Sequence, residues 1–200
     1  HRYDDQLPDF GSKQFRDQQH AFIQRWLDRV KAIGGDGLDG QALLSYEIFV
    51  RNGELALLAE QFPAWQLPVN QMGSIASYAV LLGSGTSAQP FKTVKDYDNW
   101  LARAGRLPVL MDTEVANMRE GVAAGVVQPR VVMEKVLPQL DAIIVDKPED
   151  SQFWGPIANM PADFPAEDKA RLTEAYRKLI AEALMPALKR QRDFIADEYL

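Results

Sequence analysis

Between Thr93 and Leu140 the apolar residues recur every three or four positions for far longer than a strand could use. Tyr97, Trp100, Leu101, Ala104, Leu107, Met111, Val115, Met118 and Val122 therefore line one face of a helix. Gly121 and Gly125 offer that helix an end, and Pro129 offers the next one a start. The stretch reads as two helices joined by a tight turn that carries Arg119 and Glu120. Leu101, Ala104, Leu107 and Met111 keep phase across Pro108, which predicts a kink there rather than a break.

The same spacing organises the rest of the chain. Phe15, Phe22, Ile23, Trp26, Leu27, Val30 and Ile33 predict a helix from Ser12 that stops at Gly34 and Gly35. A second helix, over 40–62 with Asp39 as N-cap, places Leu44, Ile48, Leu55, Leu58 and Phe62 on one stripe. Arg51 falls on the vacant step of that stripe and is expected at its rim, with its head in water. A short apolar helix follows from Ser74, and Thr93 with Asp96 forms a capping-box pattern. The last helix opens at Pro165 and carries Leu172, Tyr176, Ile180, Leu184, Leu188 and Ile195. Pro138 and Pro186, like Pro108, interrupt apolar helical patterns.

The expected architecture is all-α: a bundle of long, proline-kinked antiparallel helices with one long irregular loop at about 145–164. Residues 1–11 read as an irregular lead-in, and 12–200 as a single helical domain. Both ends of the chain are expected to lie inside a longer protein.

Composition removes several functions. A net charge of −6 argues against a nucleic-acid partner, which calls for a clustered basic surface. No apolar run reaches the ~20 residues that a membrane span needs. With no cysteine there is no thiol catalysis and no thiolate metal site. The histidines are His1 and His20, and neither has a second His at helical spacing. Ser74, Ser77, Ser84 and Ser87 lack a nucleophile elbow. No catalytic residue and no metal ligand are assigned.

Two polar pairs and one aromatic pair remain. Asn70 and Gln71 stand in a proline-rich turn, and Arg119 and Glu120 at the end of the central helix. Each pair either clamps its turn or faces a ligand, because polar groups in such places need hydrogen-bond partners. Phe153 and Trp154 sit in the long loop, where they either pin it to the core or line a channel.

The segments PVNQMG at 68–73, PFKTVKDYDNWLARAGRLP at 90–108 and MREGVAAGVVQPRVV at 118–132 resemble a bacterial family known as domain of unknown function 885. QFWGPI, LMPAL and DFIADEYL extend the likeness across most of residues 38–200. The resemblance implies the N-terminal part of a longer, helical, gluzincin-type zinc peptidase of the cell envelope or periplasm. It implies zinc for that parent and none in this chain, which alone is expected to be inactive. The implied partners are the C-terminal part of the same protein and a peptide substrate. Separated from that part, the chain is expected to expose apolar surface through which two copies pair. The competing expectation is a stand-alone helical module that binds a peptide or partner helix.

Overall fold

The computed structural model describes residues 2–200; His1, one of the two histidines, lies outside them. The chain divides into two compact units, residues 10–65 and residues 1–9 with 66–200. The fold is all-α. Among the described residues, the only β pairing is one isolated bridge between Asn70 and Gly73.

Residues 10–65 form a helical hairpin of α1 (Lys13–Ile33) and α2 (Gly40–Ala59). Ser12 starts α1 by accepting the Phe15 N–H on its hydroxyl at 3.2 Å. Gly34 ends it at φ 78°, a left-handed conformation that a side chain would resist. Asp39 is the N-cap of α2, although its carboxylate makes no capping bond. The helices meet where Leu27 lies over Gly53: a Cβ there would stand 3.1 Å from the leucine methyl. The Lys31–Glu54 ion pair and the His20–Glu60 hydrogen bond, both 2.6 Å, tie the two helices at separate levels.

The expected stripe of α2 does not face α1. Leu44, Ile48, Leu55, Leu58 and Phe62 are exposed, and so is Arg51. The half-buried positions are Leu43, Tyr46, Val50, Gly53, Ala56 and Leu57, which keep helical spacing one step away. Apolar residues therefore occupy both sides of α2. Periodicity finds such a helix but cannot choose its packed face.

The larger unit runs α3 (Ile75–Gly83), α4 (Val94–Ala104), α5 (Leu107–Ala124), α6 (Arg130–Asp141), the short α7 (Gly155–Ala158), α8 (Ala166–Leu179) and α9 (Met185–Phe194). Thr93 and Asp96 make both bonds of the capping box that opens α4. Tyr97, Trp100, Ala104, Leu107, Met111 and Met118 are buried, and Leu172, Tyr176, Ile180, Leu184 and Leu188 face them from the C-terminal run. Val122 is exposed. Phe91, Phe164 and Tyr176 each meet the Tyr97 ring at 5.3–5.8 Å. Tyr97 donates its hydroxyl to the Pro156 carbonyl at 2.8 Å, and burial pushes its pKa up to about 12.

The three prolines resolve in different ways. The chain breaks at Gly105–Arg106, so Pro108 sits in the first turn of α5, where a missing N–H is no loss. Gly105 and Arg106 stay in the right-handed helical region, which is why the apolar phase survives the expected kink's becoming a break. Pro138 does lie inside α6. Pro186 follows a π-helical turn, Ile180–Leu184, whose wider loop joins α8 to α9 without a stop.

The loop at 145–164 is less irregular than expected. It holds 3₁₀ turns at Pro148–Asp150 and Gln152–Trp154 before α7. Residues 2–9 lie on the same unit: Arg103 donates to the Tyr3 and Gln6 carbonyls at 2.7 and 3.2 Å, and Thr113 to Asp9 at 2.8 Å.

Candidate functional site

The residues singled out from sequence do not gather in one place. Asn70 accepts the Met72 N–H on its own side-chain oxygen at 2.8 Å, while its backbone pairs with Gly73. That is a turn held by its own asparagine. The Gln71 carbonyl accepts from the Gln139 amide of α6 at 3.0 Å. Phe153 is buried under α3, where a Cβ on Gly83 would fall 2.8 Å from its ring and 2.5 Å from Trp100. Trp154 is half-buried beneath Arg177, whose guanidinium lies 5.4 Å from the ring centre. Glu120 points into solvent.

Arg119 reaches the other end of the chain. Its Nε and Nη2 donate to the two oxygens of Glu198 at 3.0 and 2.8 Å, and its plane lies 4.9 Å over Phe194. These hydrogen bonds hold the Glu198 carboxyl below its usual range. The pair borders an open groove of about 420 Å³ between α5 and α9, with the Arg190–Asp112 pair at 2.9 Å on its rim. Both pairs are exposed, so each adds little to stability.

A different group is buried at the junction of three helices. Glu114 of α5 stands on the inward side between Met111 and Met118. Its Oε1 accepts the Ile75 N–H at 3.1 Å, the first free donor of α3. Its Oε2 accepts from Gln191 Nε2 of α9 at 2.6 Å. Gln191 is fully buried, and its own Oε1 has no partner among the described residues. Burial drives the Glu114 pKa from 4.5 to about 7, against the opposing pull of the Ile75 and Gln191 bonds. No charged side chain contributes to that shift. Such a carboxyl can hold a proton near neutrality.

Among the described residues, no three His, Asp or Glu side chains gather to hold a metal ion. No helix there is long and apolar enough to cross a membrane. Over residues 1–200 the chain matches the profile of a family described as bacterial protein of unknown function, DUF885. The chain belongs to the DUF885 family. No curated protein matches it. Within this DUF885 chain, the segment from Met118 to Val132 that carried the resemblance spans the end of α5, its closing turn and the start of α6. There the Val126 N–H returns to the Gly121 carbonyl at 2.8 Å, and the Gln128 N–H reaches the Tyr199 hydroxyl at 2.7 Å.

The Glu114–Gln191 contact was readable in principle. Leu107, Met111, Glu114 and Met118 are spaced as one core stripe, and Leu184, Leu188, Gln191 and Ile195 as another. A polar residue on each of two core stripes is the signal; sequence reading followed Val115 instead.

Proposed function

We propose that this chain is the N-terminal helical part of a bacterial zinc-dependent peptidase of the cell envelope, forming one wall of the channel that admits its peptide substrate. The observation that carries the reading is the second apolar stripe of α2, which is exposed along its length. A helix apolar on both sides is built to be covered on both. The parent's remaining residues are the covering surface. Family membership supports the same reading through the zinc chemistry its resemblance implies.

The residues here do not fit the zinc itself. His20 Nδ1 is engaged by a single carboxylate, Glu60, and Glu114 meets only an amide and a backbone N–H. No catalytic step is assigned to them. The metal belongs to residues outside this sequence.

The gene beyond the codon for Leu200 tests this directly. An open frame with a His-Glu motif and a second His a few residues on supports it; a stop codon immediately after ends it. The purified 200-residue chain is expected to carry no stoichiometric zinc by elemental analysis and to cleave no peptide. One zinc per chain would overturn the assignment.

Without its cover, the α2 stripe is expected to drive self-association. Light scattering at rising concentration should show dimer, and Leu44→Glu combined with Ile48→Glu should return monomer. A wild-type chain monomeric throughout would remove the stripe as support. A second reading, a stand-alone helical module that binds a ligand, draws on the cleft described next.

A further inference from the structure

The hairpin of residues 10–65 holds a cleft of about 540 Å³, within the range of small-ligand sites. Phe15, Ile23, Phe62 and Trp65 supply most of its apolar wall. Its charged groups are unequally matched. Asp17 already holds Lys13 at 2.7 Å, and Glu60 holds His20 at 2.6 Å. Among the described residues, Arg16 has no carboxylate partner. Its guanidinium lies 4.1 Å over the Trp65 ring, and one Nη1 donor goes to the Gly11 carbonyl at 2.5 Å.

A stacked guanidinium is a fork whose plane is fixed before any ligand arrives. With one donor spent on a carbonyl, the others are left to bind a planar anion bidentately. A cationic ligand finds less here: Arg16 covers the Trp65 face, and both carboxylates are already paired. The wall asks for an apolar body and the fork for a carboxylate.

We propose that this cleft binds a small apolar carboxylate, with the apolar group against Phe15, Phe62 and Trp65 and the carboxylate on Arg16. A peptide ending in an apolar residue and a free aryl carboxylate share this chemistry. The site stands apart from the zinc-peptidase reading, and neither depends on the other.

The test is calorimetric titration of the intact chain with N-acetyl-phenylalanine, its amide and 3-phenylpropionate. N-acetyl-phenylalanine is expected to bind with Kd about 1 mM, given the affinity available to so few atoms. The amide, lacking the charge, should bind about tenfold more weakly. Phenylpropionate matching the peptide-like acid would identify aryl carboxylates in general; weaker binding would identify the peptide terminus. Arg16→Met keeps the stem over Trp65 and should bind acid and amide alike. Equal binding of acid and amide to the wild type, retained discrimination in Arg16→Met, or no binding of either acid would overturn the proposal.

Discussion

Raising the pH from 4.5 through about 7 is expected to remove roughly 3 kcal/mol of folding stability through Glu114 alone. Below 4.5 the carboxyl is protonated in both the folded and the unfolded chain, so no difference arises. Between 4.5 and about 7 the unfolded chain gives up this proton while the folded chain keeps it. Folding then requires taking a proton from solution, which grows harder with each step in pH. Above about 7 the folded state ionises too, and the loss is complete. Urea denaturation across this range should show the fall in the wild type. Glu114→Gln should be nearly flat, because a neutral amide can still accept the Ile75 N–H. A wild-type profile as flat as the variant's would mean that the folded carboxyl ionises normally.

The 2.6 Å contact between Glu114 and Gln191 suits either protonation state. That separation lies inside the O–H···O range and at the short limit of charge-assisted N–H···O bonds. The Gln191 amide can therefore donate to the ionised carboxylate or turn over to accept from the neutral acid. Gln191→Leu removes both options and destabilises the ionised form further. Its stability loss should extend to higher pH than in the wild type.

Local and long-range features differ in how they can be read from this sequence. Caps at Ser12 and Thr93, the stop at Gly34 and the stripe from Tyr97 to Met118 were all legible, because each depends on residues a few positions apart. The packed face of α2 was not, since its two sides are equally apolar. Pro108 was misplaced for a related reason: the Gly105 and Arg106 N–H groups still bond back to the Leu101 and Arg103 carbonyls where one helix gives way to the next, and the apolar phase registers only the helical dihedrals that persist. Arg119 was marked by its place in the turn, yet its role is set by Glu198, 79 residues away. The other arginines of the C-terminal run follow suit. Arg171 pairs with Asp98, Arg177 with Glu149, Arg190 with Asp112 and Arg192 with Asp141. Fold class is a local property here. The joins between elements are not.

Gly121 and Gly125 looked equivalent in sequence, as two possible ends for one helix, and the structure gives them opposite reasons to be glycine. Gly125 ends α5 at φ 72°, with open space where a Cβ would stand. Alanine there meets only the left-handed backbone penalty, roughly 1 kcal/mol. Gly121 is an ordinary helical residue, but its missing side chain makes room for backbone. A Cβ would lie 2.6 Å from the Val126 carbonyl oxygen and 3.1 Å from that of Gln66. Neither oxygen can swing away as a side chain would, and the Val126 amide is bonded back to the Gly121 carbonyl. Gly121→Ala must therefore push α5 off its closing turn, at about 3 kcal/mol or more. Thermal and urea unfolding of the two variants should give a clear order, with Gly121→Ala far the less stable. A cost for Gly125→Ala equal to or above that for Gly121→Ala would place the constraint in backbone conformation rather than in close approach.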